Sequence, residues 1–230
     1  MTDVTTLVAA AHGSRDPRAA TSTAALIREI RAQRPNAVVR HAFLELTDPL
    51  LGEVLDQVPG AVVVVPLLLS GGYHVHVDIP ETANQHHPAA VMSDALGPDP
   101  LLVEALADRL SEAGWRPGDA VVLAAAGSRD HRAVQDSLEA GKLLSDVLST
   151  DVTTSFVSAA EPGIAAAVRA YGRRRVVVAT YLLAPGLFAD EVVAAAGGVP
   201  CTAPLGDHPA VARLVWLRHD EARRRAGTTS

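Results

Sequence analysis

Three side chains that can bind a metal ion follow three successive apolar runs in the first half of the chain. They are His12, Glu45 and His74, at the ends of the first, second and third run. Two neutral imidazoles and one carboxylate suit a divalent ion such as Fe²⁺, Co²⁺, Ni²⁺ or Zn²⁺. Because three protein ligands leave coordination positions free, the pattern predicts an open site that water or a substrate can enter, not a closed structural zinc site.

The apolar runs have the length of buried β-strands, and the stretches between them have helical periodicity. Helical spacing is clearest at Pro17–Arg34 and Pro100–Glu112, where apolar residues recur on one face. Alternating strands and helices predict an α/β fold in which helices cover a parallel sheet. The predicted strands are Val4–Ala11, Ala37–Leu44, Ala61–Leu69, Ala90–Leu96, Ala120–Ala126, Val152–Val157, Val176–Leu182 and Val199–Leu205.

The second half of the chain repeats the first half. The segment AAAHGSRDPRA matches AAAGSRDHRA, and three later segments match in the same order at nearly constant spacing. The paired residues are Gly13 and Gly127, Phe43 and Phe156, Gly72 and Gly186, and Leu96 and Leu205. We predict two tandem homologous domains, residues 1–115 and 116–230, each a four-stranded parallel sheet with the flavodoxin-like strand order 2-1-3-4.

The repeat is also a control for the three candidate ligands. In the second copy their positions hold Ala126, Ser158 and Phe188. A role in holding the fold would be needed in both copies, so the joint absence of the polar residues favours a functional role. The sequence therefore predicts one site, in the first half, with adjacent strands converging its ligands.

Composition excludes several classes of protein. The net charge of −6, with only short basic clusters, argues against nucleic-acid binding. One cysteine, Cys201, allows no internal disulfide and no cysteine metal cage, which is typical of a reducing cytoplasm. No segment reaches the ~18 uninterrupted apolar residues of a membrane span, and we expect a cytoplasmic protein with no membrane partner.

Three motifs in this order, AHGSRD, AFLEL and PLLLSGGYHVHVDIP, resemble those of the class II tetrapyrrole chelatases. The resemblance covers both halves and implies the long form of that family, in which two homologous halves share one chain and act as a pseudo-twofold monomer. It implies that His12, Glu45 and His74 are the catalytic and metal-handling residues, and that a planar macrocycle lies in the cleft between the halves. Which of the three residues is the principal base stays open.

The activity that the resemblance implies is that of a lyase, a chelatase that inserts Fe²⁺ into sirohydrochlorin to make sirohaem. Cobalt insertion for cobalamin is the alternative, and a non-catalytic metal or tetrapyrrole carrier is a further one. The metal is then a substrate, Fe²⁺ or Co²⁺ and less readily Ni²⁺ or Zn²⁺, and no permanently bound cofactor is expected. The other partner is the small-molecule tetrapyrrole itself.

Side-chain carboxylates of the macrocycle need positive or hydrogen-bonding groups nearby, because the protein is net negative. The residues predicted to bind them are Ser14, Arg15, Arg129 and Arg132, at the matching loops and helix starts of the two copies. The arginines could equally form salt bridges with Asp16 and Asp130 at the helix starts.

Four further polar residues near the third motif have alternative interpretations. Asp78 either caps the following helix or orients His74, since it lies four residues after that histidine. His76, His86 and His87 either form a delivery path for the metal or face solvent, and we favour solvent.

Two other enzyme classes fit less well. A histidine phosphatase needs an Arg-His-Gly motif, and Ala11 stands where that arginine would be. A nucleotide-binding domain is disfavoured because neither GxGxxG nor GxxxxGK[ST] occurs.

Overall fold

Fifteen strands and α-helices, together with one π-helical turn, make up residues 5–227, the part of the chain that the computed structural model describes. In chain order they are β1 (Thr6–Ala11), α1 (Pro17–Gln33), β2 (Val39–Phe43), α2 (Leu51–Gln57), β3 (Val62–Leu67), the π-turn (His74–Asp78), α3 (Ile79–His86), β4 (Val91–Met92), α4 (Pro100–Glu112), β5 (Ala120–Ala125), α5 (His131–Leu148), β6 (Val152–Phe156), α6 (Ile164–Ala170), β7 (Val176–Tyr181), α7 (Leu187–Ala196) and α8 (Pro209–Gly227). Val4, which the sequence assigned to the first strand, lies outside the described residues. Among the described helices, none has both the length and the hydropathy that crossing a bilayer requires.

Two parallel sheets form the frame, and both have helices on their faces. The first has the order β2-β1-β3-β4 and the second β6-β5-β7. Every residue of β1, β3, β5 and β7 is buried, as expected for parallel strands that helices cover on both faces. The predicted α/β class is confirmed, and so is the order 2-1-3-4 in the first sheet.

The fourth strand of the second sheet is the exception. The predicted strand Val199–Leu205 is reduced to a single parallel bridge between Val178 and Cys201. Pro200 and Pro204 flank this bridge and have no backbone N–H to donate to a neighbouring strand. Regular pairing with β7 is consequently limited to the bonds from Val178 N to Pro200 O and from Thr202 N to Val178 O, and the next backbone bond, from Leu205 N to Leu182 O, lies beyond the end of β7.

The two compact units do not coincide with the two sequence copies. One unit comprises residues 1–96 and 207–230, and the other comprises residues 97–206. The predicted division at residue 115 separates the two sequence copies, and the units have other boundaries because α4 packs against α5 and β7, whereas α8 packs against α1, β3 and β4. Each copy thus gives its last helix to the unit formed by the other copy.

Specific contacts explain why α8 belongs to the first unit. Trp216 Nε1 donates a hydrogen bond to the carbonyl of Ile30 at 2.9 Å, and the Arg34 guanidinium lies 4.4 Å from the centre of the Trp216 ring system. Arg218 donates to the carbonyls of Ala95 and Leu96, both at 2.9 Å. These bonds tie α8 to α1 and to the end of the first sheet.

Helices α1 and α5 start at equivalent places, directly after the loops that follow the central strands. Asp16 accepts from the backbone N–H of Arg18 at 2.9 Å, and Asp130 accepts from that of Arg132 at the same distance. The caps close loops of five residues, 12–16 and 126–130, at the carboxyl ends of β1 and β5. The candidate site begins in the first of these loops.

Candidate functional site

The loops that follow β1 and β2 are joined by backbone hydrogen bonds, which bring His12 and Glu45 together. Leu44 N donates to Ala11 O at 2.9 Å and Glu45 N to His12 O at 3.1 Å, so the parallel pairing continues past the strand ends. The imidazole Nδ1 of His12 lies 3.5 Å from the Glu45 carboxylate. The convergence expected at neighbouring strand ends is present for these two residues.

Gly13 allows this close approach. Its φ is +99°, and a Cβ at this position would lie 1.7 Å from the carbonyl oxygen of Glu45. Gly127 does the same in the second copy, with φ +86° and a Cβ position 1.8 Å from the carbonyl oxygen of Ser158. Both copies therefore use glycine to let the two loops touch.

His74 completes the group on the other side of His12. The centres of the two imidazole rings are 4.7 Å apart and the ring planes meet at 79°. His74 follows β3, so the three predicted residues come from the ends of three adjacent strands. His12 is the shared neighbour, because it contacts both Glu45 and His74.

The π-turn presents His74. In this turn the amide of Ile79 bonds to the carbonyl of His74, five residues back, instead of four as in an α-helix. The Nδ1 atom of His74 lies 2.5 Å from the Asp78 carboxylate. Asp78 makes no side-chain hydrogen bond that caps α3. Of the two roles that the sequence allowed for Asp78, the contact with His74 is the one present.

The site is open to solvent. The side chains of His12, Glu45 and His74 are 45%, 51% and 35% exposed. Two large apolar side chains next to them in sequence are also exposed, Leu46 at 51% and Tyr73 at 63%. Within residues 5–227, no three His, Cys, Asp or Glu side chains stand close enough together to form a ready-made metal-holding group.

Leu46 and Tyr73 were missed by sequence reasoning. Leu46 has φ +63°, a left-handed conformation that is rare for a branched side chain, and Ala159 has φ +58° at the matching place in the second copy. The Tyr73 ring centre lies 6.3 Å from that of His74. The sequence indicates these two residues only through their positions directly beside Glu45 and His74.

The four residues predicted to bind substrate carboxylates have different surroundings. Ser14 Oγ accepts from the amide of Asp16 at 3.1 Å, so it already shapes the loop. Arg132 pairs with the capping carboxylate of its own helix, and this pairing raises its pKa. Arg15 and Arg129 are exposed, and neither has an ion-pair partner in the described part of the chain. Of the three predicted arginines, these two have guanidinium groups that are not engaged in an ion pair within residues 5–227.

The first copy also has an arginine that pairs with the capping carboxylate of its own helix, as Arg132 does. Arg18, which was not among the predicted residues, bonds to both carboxylate oxygens of Asp16, and these bonds lower the pKa of that carboxyl group. The salt-bridge interpretation therefore holds for Arg18 and Arg132, one residue in each copy.

The second copy keeps the backbone arrangement without the ligands. Val157 N donates to Ala125 O at 2.9 Å and Ser158 N to Ala126 O at 3.1 Å, which repeats the loop pairing of the first copy. The Ser158 hydroxyl is turned back onto the Ala126 carbonyl at 3.3 Å. Phe188 is 39% exposed. The scaffold is thus duplicated, whereas the imidazoles and the carboxylate are not.

The remaining histidines of the region are separate from the group. His86 Nδ1 lies 3.0 Å from Asp56, and the His86 ring occupies the space above Gly52. His76 is exposed, and His87 is half-buried with a buried Nδ1 that has no hydrogen-bond partner. His86 joins α3 to α2, and this contact gives it a structural role.

Comparison with known proteins agrees with the duplication. The family model described as CbiX matches residues 6–113 and again residues 120–222. A curated relative, the sirohydrochlorin ferrochelatase of Priestia megaterium, is 26% identical over 79% of this chain and 74% of its own length. The sirohydrochlorin cobaltochelatase of Methanosarcina barkeri is 31% identical over 35% of this chain and 65% of its own length.

Solved structures share the fold over nearly the whole chain. SirB from Bacillus subtilis with Fe³⁺ superposes with a TM-score of 0.83 at 25% identity and covers 97% of both chains. A sirohydrochlorin chelatase SirB from Bacillus subtilis subspecies spizizenii, in complex with cobalt, gives a TM-score of 0.79 at 24% identity, again over 97% of both chains.

Proposed function

Because the chain belongs to the CbiX family, we propose that it is a sirohydrochlorin chelatase, a lyase that inserts Fe²⁺ into sirohydrochlorin to form sirohaem. One observation carries the proposal. The His12 ring lies 3.5 Å from the Glu45 carboxylate and 4.7 Å from the centre of the His74 ring, at the exposed carboxyl edge of a parallel sheet. The second copy has the same loops without these side chains.

The donor set suits a metal ion that must be held briefly and then released. Two imidazoles and one carboxylate satisfy a borderline divalent ion, and the free coordination positions let a ring nitrogen approach while protein ligands still hold the ion. The half-exposed side chains allow a planar macrocycle to reach the metal directly. The ion is a substrate in this scheme, and the chain needs no resident cofactor.

Insertion also requires that two pyrrole N–H protons leave the macrocycle. Neutral imidazole and carboxylate groups both accept protons, so His12, Glu45 and His74 can serve as bases as well as ligands. A protonated imidazole or carboxylic acid binds a metal poorly. Transfer of a ring proton to one of these residues therefore weakens its hold on the ion at the moment when the ring takes it.

Arg15 and Ser14 provide a place for the carboxylates of the substrate. Both are in the loop that contains His12, and the backbone N–H groups at the start of α1 lie at the end of the same loop. We infer that Arg15 binds a substrate carboxylate, with Arg129 as its counterpart in the second copy. Arg132, which is engaged by the carboxylate of Asp130, contributes less.

Two metals have support among the relatives. The ferrochelatase relative aligns over 79% of the chain, whereas the two cobaltochelatase relatives align over 35% and 33%. We therefore place Fe²⁺ first and Co²⁺ second. Because both copies of the family domain are in one chain, we propose that the enzyme works as a monomer.

A steady-state assay under exclusion of oxygen tests the proposal. Purified protein is mixed with a large excess of sirohydrochlorin and with Fe²⁺, Co²⁺ or Ni²⁺ separately, and the absorption change of the ring is followed. A chelatase gives many turnovers per protein molecule, with Fe²⁺ fastest. A carrier gives at most one equivalent of metallated product, and rates equal to those of the protein-free mixture with every metal would refute the enzyme.

Phe188→Ala is the matched control for the ligand variants His12→Ala and His74→Ala, because residue 188 is the counterpart of residue 74 and carries no metal ligand. The two histidine variants should lose turnover with all three metals. Phe188→Ala should keep metal binding unchanged.

A further inference from the structure

We propose that Asp78 is a positioning residue for the metal site: it fixes the ring orientation and the tautomer of His74, so that His74 Nε2 is presented to the ion. The proposal rests on the function proposed above and names a fourth residue of the same site. Asp78 itself touches neither the metal nor the macrocycle in this scheme.

The contact between the two side chains is short and is not explained by helix capping. The Asp78 Oδ2 atom lies 2.5 Å from His74 Nδ1. Asp78 is the last residue of the π-turn, which continues directly into α3, and its side chain makes no capping hydrogen bond. Both side chains are about one-third exposed, at 35% and 34%. The Ile79 amide already donates to the His74 carbonyl, and Pro80 has no N–H, so the contact with His74 is the one that this carboxylate makes.

The chemistry of imidazole gives this contact a consequence. A neutral imidazole has one N–H and one nitrogen lone pair, and only the lone pair binds a metal. A carboxylate that accepts from Nδ1–H keeps the proton on Nδ1 and leaves the Nε2 lone pair free. Carboxylate–histidine–metal arrangements of this kind fix the ring and raise its strength as a ligand.

The π-turn supplies an independent observation, because it contains one residue more than the second copy has. From Gly72 to the buried Ile79 the chain advances by seven residues, whereas from Gly186 to the buried Val192 it advances by six. Further along, Ala83 and Ala196 are equivalent buried positions with the same offset as Ile79 and Val192 (83 − 79 = 4 and 196 − 192 = 4).

A helix accommodates one added residue by widening a single turn into a π-turn, and such turns are frequent at functional sites. In this chain the widened turn runs from His74 to Asp78, the two residues of the pair. Helix α3 keeps its buried positions at Ile79 and Ala83. The added residue is therefore accommodated in the turn that bears the site, and the buried face of α3 is retained.

The chain provides a matched control for a variant of this pair. Asp56 and His86 form a second carboxylate–imidazole contact in the same unit, at 3.0 Å between Asp56 Oδ1 and His86 Nδ1. That pair joins α2 to α3 and is separate from the His12, Glu45 and His74 group. Asp56→Asn removes the same kind of charge from the same kind of contact without touching His74.

The experiment measures Co²⁺ affinity by calorimetry in full-length wild type, Asp78→Ala, Asp78→Asn and Asp56→Asn. We expect a loss of about 10- to 100-fold for Asp78→Ala. Asp78→Asn should lose less, because its amide oxygen still accepts from Nδ1–H. Asp56→Asn should bind Co²⁺ as the wild type does. For metal insertion, kcat should fall in the same order, while KM for the tetrapyrrole stays unchanged.

A spectroscopic measurement separates positioning from a general structural effect. Long-range ¹H–¹⁵N correlation spectra of the metal-free protein report which ring nitrogen of His74 carries the proton. We expect the Nδ1–H tautomer in wild type and a shift toward Nε2–H in Asp78→Ala, with the urea midpoint of unfolding unchanged. If Asp78→Ala does not fold, the wild-type tautomer and Asp78→Asn decide the question.

The proposal is overturned if His74 carries its proton on Nε2 in the wild type, or if Asp78→Ala binds Co²⁺ as tightly as the wild type. A failure of the proposed function would look different. In that case the wild type inserts no metal into sirohydrochlorin, whereas the Co²⁺ affinities and the His74 tautomer still report on Asp78.

Discussion

The substitution Gly13→Ala tests whether metal insertion depends on the close contact between the loops that carry His12 and Glu45. The added Cβ would lie 1.7 Å from the Glu45 carbonyl oxygen, and contacts of this type below 3.0 Å are essentially never seen. The loop that carries Glu45 must therefore move by at least 1.3 Å (3.0 − 1.7). No side-chain rotation can relieve the clash, because the oxygen belongs to the backbone.

The energetic cost has two parts. An alanine held in a left-handed conformation costs about 1–2 kcal/mol, and loss of the hydrogen bond from Glu45 N to His12 O costs about 1 kcal/mol more. Gly60→Ala is the control for the first part alone, since Gly60 has φ +78° and nothing within 4 Å of its Cβ position. We expect a loss of about 2–3 kcal/mol for Gly13→Ala and about 1–2 kcal/mol for Gly60→Ala in urea unfolding.

The functional cost should be confined to the first copy. A misplacement of about 1 Å in a catalytic group can lower a rate by about 100-fold, so metal insertion by Gly13→Ala should fall by that order. Gly127→Ala makes the same clash with Ser158, at 1.8 Å, in the copy without metal residues. It should lose similar stability and keep its affinity for Co²⁺. Equal losses of Co²⁺ affinity in the two variants, or none in Gly13→Ala, would refute this reasoning.

Four further predictions concern the substrate, the pH dependence of stability and the last helix. Arg15→Ala should raise KM for the tetrapyrrole by about tenfold with little change in kcat, whereas Arg18→Ala, which breaks an exposed ion pair, should change neither measurably. Burial lowers the pKa of His219, so its imidazolium is disfavoured in the folded state; the urea midpoint should drop as the pH falls below 6.5, and less so in His219→Phe. Asp220, whose pKa lies at about 2 because Arg34 donates to it, should stabilise the fold above pH 3.8 and lose that contribution toward pH 2; acid titration of Asp220→Asn checks this. Trp216→Ala should cost about 3–5 kcal/mol in urea unfolding and should unfold the first unit, which contains the site, before the second.

The part of the site that follows from strand ends could be predicted from the sequence. Residues after parallel strands meet at one edge of the sheet regardless of the details of packing, and this brought His12 near both Glu45 and His74. The repeat made the argument stronger, because Ala126 and Ser158 show that the loops pair without the ligands. The α/β class and the strand order of the first sheet followed from the same alternation of elements.

The exchange of the last helices could not be predicted from periodicity. Helices α4 and α8 are equivalent elements of the repeat, and each buries an apolar face. Which unit a last helix joins depends on particular long-range contacts, such as the bonds from Trp216 to Ile30 and from Arg218 to Leu96. Periodicity reports which face of a helix is buried and not which partner buries it.

Two local features that the sequence analysis did not predict differ in how far the sequence indicates them. The π-turn has no sequence signature of its own, and only the unequal spacing between Gly72 and Ile79 and between their counterparts records the added residue. The shortened edge of the second sheet, by contrast, was visible in the sequence. Pro200 and Pro204 within the predicted strand should have reduced that prediction to an isolated bridge.

The most direct test of the central claim converts the first copy into the second at the three ligand positions. The triple variant His12→Ala, Glu45→Ser and His74→Phe places in the first copy the side chains that the second copy already carries. The quantity to measure is the initial rate of Fe²⁺ insertion into sirohydrochlorin, with the urea midpoint as the check on folding. We predict the protein-free rate with an unfolding midpoint close to that of the wild type; insertion at the wild-type rate would contradict the assignment of these three residues.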